Sequence, residues 1–545
     1  MEKTTDSSLT FTKTWIAFPT LFWHGEAKPA ADPEGIRKLL LMLDQPLWAV
    51  ALPYGVGLAA GGEILPAGAG GLPVLAYAPP LLPQQFGSPA FCAAYGTRYA
   101  LYGGAMANAI SSEDMVIALA KAGMLGSFGA AGLSPQRLEA AIQRIQAALP
   151  EGNYAFNLIN SPSQPSLEQR AAELYLQYGI HTVEASAYVD ITTSLVHYRA
   201  AGLEQLPDGE ILPRNRIIAK LSRKEVARRF MEPAPPDILQ TLLADGRITP
   251  QQAKLAQYVP MADDITVEAD SGGHTDNRPL VGLLPTMLAL RDEIQAKRSY
   301  RVPVRVGAGG GIGAPASALA AFMMGAAYVV TGSVNHACIE SGASEHTRSL
   351  LAQADMADVI MAPSADMFEM GVKVQVLKRG TLFPMRAAKL YELYTRYDSV
   401  EQIPPAEREK LEKQIFKRSL EEIWLETEKF FSQRDPDQIE RANANPKYKM
   451  ALIFRWYLGL SSRWSVSGEK GREMDYQIWC GPAMGIFNEW VHNTYLAQVH
   501  NRRVVDVNLH ILTGAAYLFR LRMLQAQGLA FPSSLEMYYP QEPLI

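Results

Sequence analysis

The feature that most restricts this chain is an alternation. From about residue 96 to residue 340, short apolar runs take turns with amphipathic segments. "RYALYGGAM" precedes "SSEDMVIALAKAG", "MLGSFGAAG" precedes "SPQRLEAAIQRIQAAL", and "NYAFNLINSP" precedes "SLEQRAAELYLQYG". "HTVEASA", "NRIIAKLS", "DDITVEADSGGH", "VPVRVGAGGG" and "AYVVTGS" follow. Strands that alternate with helices imply a parallel sheet, and eight such units imply a closed barrel. An open doubly wound sheet has the same periodicity, so the pattern alone does not separate the two. Ser111, Ser134 and Ser166 stand where helix N-caps are wanted, and Glu113 and Glu168 fall in first turns.

The expected fold class is therefore α/β, a (β/α)8 TIM barrel over residues 96–364 with additions. Residues 1–95 carry "WAVALPYGVGLAAGG" and "GLPVLAYAPP", short strand-like runs broken by glycine and proline, and read as a small N-terminal α/β module. Between strands five and six, about residues 223–260 form a helical insertion with a proline break at "EPAPP". An insertion of this length on a barrel loop is expected to act as a lid. Residues 365–545 are mostly helical in pattern.

Composition removes several function classes. The formal charge of -4 gives no electrostatic footprint for nucleic acid. The three cysteines, Cys92, Cys338 and Cys480, lack short pairing, which argues against a disulfide framework or zinc site and suits a reducing cytoplasm. The polar start "MEKTTDSSLTFTK" lacks the apolar core of a signal peptide. The longest apolar candidate, Ala316 to Val330, is too short to span a membrane. A soluble cytoplasmic protein is expected. No G-x-S-x-G, H-E-x-x-H or C-x-x-C occurs, and His336 and His346 are poorly spaced for a metal, so none is expected.

"VGAGGGIGAP", residues 306–315, contains a loose dinucleotide fingerprint. A Rossmann unit would place an acid at the end of the next strand, yet "AYVVTGSVN" ends in Gly332 and Ser333. The stretch also comes late in the series. Barrels bind phosphate with the loops after strands seven and eight, so Gly309, Gly310 and Gly311 are expected to offer backbone N–H groups, with Gly332 and Ser333 closing the other side. The plainer alternative is a tight turn that needs glycine.

The remaining strand ends then line one face. Gly104, Ala105 and Met106 in "GGAMAN" let a flat ring approach the backbone, and Asn157 offers an amide to a ring edge. Lys220 would meet an anion such as the N1–C2=O edge of a reduced flavin, or would pair with Glu184 or Glu268. His274 follows Gly273 in "EADSGGHTDN". Structural roles compete at each: a loop hydrogen bond for His274, a turn for Asn157, core packing for Met106.

These residues carry a family likeness. "GGAMAN", "AGMLGSFGAAGLSP", "AFNLINSP", "EADSGGHTDN" and "AGGGIGAPASALAAFMMGAAYVVTGSVN", in that order, resemble the FMN-dependent barrels of the nitronate monooxygenase and bacterial flavin enoyl reductase superfamily. The insertion, "QRDPDQIERANANPKYKMALIFRWYLGLSSRWS" and "YQIWCGPAMGIFNEW" resemble the PfaD-type enoyl reductases of polyunsaturated fatty acid and trans-acyltransferase polyketide synthases.

The resemblance implies bound FMN, NADPH or NADH as donor, and an enoyl thioester on acyl carrier protein as substrate, within a polyketide or fatty acid synthase. It places His274 beside the flavin as the candidate catalytic residue, Gly310 and Gly311 in the phosphate loop, and Gly332 at the close of strand eight. "GSVN" replaces the "GTRF" of simpler relatives, so no arginine contact transfers there. A flavin oxygenase and a non-catalytic flavin-holding synthase subunit are the alternatives, and a homodimer is compatible with both. The basic and aromatic stretch "KYKMALIFRWYLGLSSRW" reads either as a carrier-docking face or as a solvated helix over an aromatic core.

Overall fold

The structure is a computed structural model that describes residues 9–11, 21–53, 55–67, 70–162 and 164–545. Most of the polar N-terminal start lies outside these residues. Eight parallel strands close a barrel: β1 Leu101–Gly103, β2 Leu125–Phe128, β3 Tyr154–Ile159, β4 Thr182–Ser186, β5 Arg216–Leu221, β6 Asp264–Glu268, β7 Arg305–Gly309 and β8 Val329–Thr331. β8 pairs back onto β1, with Val329 opposite Leu101 and Thr331 opposite Gly103, so the open-sheet alternative is excluded.

The bottom of the barrel is a plug of rings and one ion pair. Phe91, on the helix Pro89–Tyr95, stacks on Tyr328 with centroids 4.2 Å apart. Gly307 makes room for that ring, because a Cβ there would fall 2.3 Å from Tyr328 Cε2. Arg305 donates to both oxygens of Asp264, at 2.7 and 2.6 Å, and Tyr95 donates to the same carboxylate. Asp264 and Arg305 open β6 and β7, so they lie at the end opposite the strand C-termini.

Helices α1 Glu113–Lys121, α2 Pro135–Ala148, α3 Pro165–Gln177, α4 Thr193–Ala201, α5 Lys224–Met231, α6 Leu280–Arg298 and α7 Pro315–Met323 surround the sheet. Ser134 caps α2 as expected, accepting from Arg137 N. Ser112 rather than Ser111 caps α1, and α3 starts one residue before Ser166, behind Gln164. The expected lid is corrected too. α5 is the barrel's fifth helix and packs on α6 and β5; the helices Pro236–Ala244 and Pro250–Leu255 pack outward on α4. No residue of 223–260 lines the mouth cavities.

Beyond β8 come the antiparallel strands β9 Val359–Pro363 and β10 Lys373–Leu377. The helices α8 Phe383–Arg396, α9 Leu420–Arg434, α10 Pro436–Ala444, α11 Pro446–Ser467, α12 Ala483–Val491 and α13 Val504–Ala526 follow. α13 returns to pack between α7 and α1, in the place an eighth barrel helix would take. Gly514 permits the crossing, since a Cβ there would lie 2.4 Å from Pro315 Cγ. α13, and not the Ala316 to Val330 stretch, is long and apolar enough to cross a membrane, but 83% of its apolar window is buried within the fold.

The N-terminal strands Leu21–His24, Leu47–Leu52, Gly55–Ala60, Glu63–Pro66 and Leu72–Ala78 form one antiparallel sheet beside the helix Pro33–Leu41. Buried Arg520 of α13 donates to the carbonyls of Leu40, Met42 and Gln45, at 3.0, 2.8 and 2.7 Å. It thereby satisfies carbonyls at that helix's end and ties the sheet to the barrel.

Replacing Arg305 with Met should leave the buried Asp264 carboxyl in the plug without its counter-ion. We expect a loss of about 3–5 kcal/mol, the usual cost of removing one partner of a buried pair, read as a lower urea midpoint. An unchanged midpoint would show that the pair contributes nothing.

Candidate active site at the barrel mouth

At the strand C-termini the backbone itself forms the first part of the site. Gly310 and Gly311 have φ of 89° and 74°, a conformation that a side chain disfavours. Gly332 differs: its φ of −131° is not left-handed, and a Cβ there would meet nothing within 4 Å among the described residues. Its absent side chain leaves space in front of the backbone. The amides of Gly310, Gly311 and Gly332 donate to no group among the described residues. Ser271 Oγ is buried without a partner. It lines the same hollow as these glycines, Gly309 and Gly104–Met106. Free amides around open space fit a phosphate, with room for a flat ring over residues 104–106.

The mouth is held in shape by side chains below it. Ser111, displaced from its expected cap, accepts from Met106 N at 3.0 Å and donates to Gly104 O at 2.9 Å. Glu184 accepts from Ala105 N at 2.8 Å. Ser333 Oγ accepts from Gly481 N at 3.0 Å, so its side chain holds the C-terminal segment while the residue lines the hollow.

Lys220 Nζ lies 3.4 Å from Glu268 Oε1 and 3.5 Å from Glu184 Oε1, so the paired arrangement is the one present. Burial opposes its charge, but the two carboxylates outweigh burial and hold the ammonium pKa above its usual value. Burial raises the Glu268 carboxyl, against the pull of Lys220 and His274. Asn157 lies within β3 rather than in a turn; its Nδ2 donates to Glu184 O at 3.1 Å and Ser186 Oγ at 3.0 Å. Only its Oδ1 faces no described donor.

His274 is placed by strand pairing. Gly273–His274 forms a two-residue strand on β10, with Gly273 opposite Gln375 and His274 opposite Val374. Gln375 Nε2 donates to Asp270 Oδ1 at 2.7 Å and Ser271 O at 2.8 Å, which fixes the loop after β6. His274 Nε2 then sits 3.1 Å from Asp366 Oδ2, in the β9–β10 connection. Burial disfavours the imidazolium, yet the charge of Asp366, followed by that of Glu268, raises the His274 pKa above its usual value. Asp366 is held below the usual carboxylate range, the His274 charge outweighing burial. His274 faces a cavity it shares with Lys220, Glu268, Asn157 and Met106.

No sequence pattern points to Asp366, Ser271 or Trp479. Trp479 lines both hollows, and the segment around it lies on the loop after β6: a Cβ at Gly481 would fall 2.6 Å from Gly272 N. "YQIWCGPAMG" is visible as a motif, but no spacing rule connects it to a loop two hundred residues earlier. Lys447 and Lys449, the basic residues of the suggested docking face, lie over the rings of Tyr394 and Trp424, and Lys447 pairs with Asp398 at 3.0 Å.

Comparison with known proteins decides the family. The nitronate monooxygenase family model matches residues 90–403. The chain belongs to that family.

It belongs to the PfaD-type branch of these flavin-dependent oxidoreductases. Residues 23–80 match the N-terminal domain of the fatty acid synthase protein PfaD. Residues 397–476 match the inserted helical domain of [acyl-carrier-protein] S-malonyltransferase. One polyunsaturated fatty acid synthase subunit of Thraustochytrium sp. is 52% identical over 81% of this chain and 30% of its own length. Another subunit of that organism's synthase is 50% identical over 92% of this chain and 24% of its own. The polyketide biosynthesis protein PksE of Bacillus subtilis is 45% identical over 81% of this chain and 57% of its own. The chain thus spans between about a quarter and three fifths of these relatives. The crystal structure of the enoyl reductase domain of MlnA, from the macrolactin cluster of Bacillus amyloliquefaciens, superposes with a TM-score of 0.77. It is 38% identical, covering 81% of this chain and 99% of the domain.

His336 links the end of β8 to the Trp479 segment. It is buried, and its Nδ1 lies 3.1 Å from Trp479 O. Burial takes its pKa down to about 4, helped by Arg348 and only partly opposed by the Trp479 carbonyl. An unfolded histidine titrates near 6.5, so the neutral ring stabilises the fold above that pH, and this contribution is lost as pH falls toward the folded value. We expect about 3 kcal/mol of acid destabilisation from this group. His336→Gln should flatten the slope of urea midpoint against pH between neutrality and about pH 4.5; an unaltered slope would clear His336 of it.

Proposed function

We propose that this chain is an FMN-dependent enoyl reductase that reduces the 2,3 double bond of enoyl thioesters carried on acyl carrier protein, with NAD(P)H as donor. The observation that carries the reading is the His274–Asp366 pair, at 3.1 Å, in a cavity continuous with the glycine cradle. The likeness to the MlnA enoyl reductase domain and to synthase subunits supports it.

FMN held here would supply hydride-transfer chemistry between NAD(P)H and the β-carbon of the enoyl thioester. The amides of Gly310, Gly311 and Gly332 would hold its phosphate, and Gly104, Ala105 and Met106 would form the flat wall beside its ring. Lys220, fixed by Glu184 and Glu268, would supply positive charge at the barrel centre, and Trp479 would wall the mouth.

Hydride addition builds negative charge on the thioester oxygen and leaves the α-carbon needing a proton. A protonated imidazole serves both needs: it donates a hydrogen bond to the oxygen and can release a proton to carbon. Asp366, 3.1 Å away, favours the charged form of His274 and would hold the ring beside the cavity. His274 is therefore assigned the proton donor, and Asp366 the positioning residue.

The purified protein should show a yellow flavin spectrum that NADPH bleaches without oxygen and an enoyl thioester restores. A colourless folded protein unable to take up FMN, or product formation that requires oxygen, would overturn the assignment. His274→Ala should lower kcat by about 10²–10⁴-fold while FMN stays bound. Asp366→Asn should move the alkaline limb of the kcat profile to lower pH, because the raised His274 pKa loses its main support. An alkaline limb that stays in place would remove His274 as the titrating acid.

A further inference from the structure

The hollow that holds His274 continues outward along α11. Arg455, Gly459, Ser462 and Arg463 share one face of that helix and line the cavity together with His274 and Asp366. Gly459 is an unfavourable residue for a helix interior, and no neighbour demands it: a Cβ there would meet nothing within 4 Å. It leaves a channel between the helix and the mouth.

Farther out, Arg455 and Arg463 line a second hollow, now with Arg170 and Arg434. Its one acidic lining residue, Glu168, is already engaged: it accepts from Asn160 Nδ2 at 3.1 Å and from Thr192 Oγ1. Arg455 pairs with Glu369 at 3.1 Å. Arg170, Arg434 and Arg463 have no carboxylate partner among the described residues. Arg463 donates to the Gly132 carbonyl at 3.2 Å, and Arg434 lies over the Phe430 ring at 4.5 Å. The surrounding protein, and then the like charge of Arg434, both press on the ionised form of Arg463. An uncompensated group of guanidiniums at the outer end of a channel to the proton donor calls for an anion on an extended ligand.

We propose that Arg434 and Arg463, with Arg170 at the rim, bind the phosphate of a phosphorylated pantetheine arm, so that the arm runs past Gly459 and delivers its acyl end to His274. The inference rests on the enoyl thioester reading above. A carrier-bound prosthetic group and coenzyme A share this chemistry.

The test compares the holoenzyme with an Arg434→Ser/Arg463→Ser variant on but-2-enoyl pantetheine, 4′-phosphopantetheine, coenzyme A and carrier-protein thioesters. The variant's KM for the three phosphorylated substrates should rise about tenfold or more, as expected for lost charge-assisted contacts. Its kcat, and its KM for the unphosphorylated pantetheine thioester, should stay within about twofold. Arg463→Lys should recover part of the loss. Equal change across all four substrates, or none, would overturn the proposal. A rise confined to the carrier-bound substrate would assign the arginines to the carrier's own surface and overturn it. A rise only in the KM for NADPH would give the phosphate to the dinucleotide and overturn it as well. Failure of the wild-type holoenzyme to reduce any of the four would instead defeat the enoyl reductase reading, and this inference with it.

Discussion

The site depends on a short piece of backbone pairing. Gly273 and His274 hydrogen-bond as a strand on β10, and that ladder sets the position of the loop after β6 against the β9–β10 hairpin. Gln375 strengthens the junction from the side, bonding Asp270 and Ser271 O in one amide. The pairing sets His274 against Asp366, whose charge raises the imidazole pKa. A barrel alone would supply the glycine cradle and Lys220. The placing of His274, of its partner Asp366 and of Trp479 requires the segment that follows β8.

That segment is less an appendage than an insertion into the barrel's last βα unit. The chain leaves after the short helix Ser333–His336, builds the β9–β10 hairpin and α8–α12, and returns with α13 to fill the gap between α7 and α1. A buried polar network anchors the return to the departure. Thr331 donates to Asn508 Oδ1 at 2.8 Å, Asn508 Nδ2 donates to Asn335 Oδ1 at 2.9 Å, and Asn335 donates to Thr331 O at 3.1 Å. Gly332 lies inside this network's span, so the open side of the cradle is held by the residues that close the barrel. Insertion at the strand C-terminal end places the added structure over the chemistry, where barrel loops carry function.

The sequence declares what repeats and conceals what does not. All eight strands are legible, because each pairs parallel with its neighbours and so appears as an apolar run before an amphipathic helix. The glycine positions are legible as well, because positive φ at Gly310 and Gly311 admits few other residues. Asp366 is not: an acid in a loop between two strands looks like any solvated turn until the fold sets it beside His274. The insertion at 223–260 misleads for the opposite reason. Its length suggests a lid, but its first helix has an apolar face of Val226, Ala227, Phe230 and Met231 that is spent on the barrel wall. α13 is inconspicuous because its apolar residues are broken by Asp506, His510 and Arg520, each of which finds a buried partner only in the tertiary fold.

Charge is distributed along the mouth in a way that sorts ligands by where their anions lie. In the middle, Lys220 and His274 face Glu184, Glu268 and Asp366, and burial raises the Glu268 pKa. At one end, free amides and no cationic side chain line the hollow around Gly310 and Gly332 apart from Lys220. At the other, arginines outnumber carboxylates. Amides and guanidiniums recognise phosphate differently: the first by close backbone approach in a confined hollow, the second by long, mobile side chains near solvent. A small resident group suits the first end, and a ligand that must enter and leave suits the second. On the proposed function, the centre between the two ends is where a neutral acyl group would meet His274.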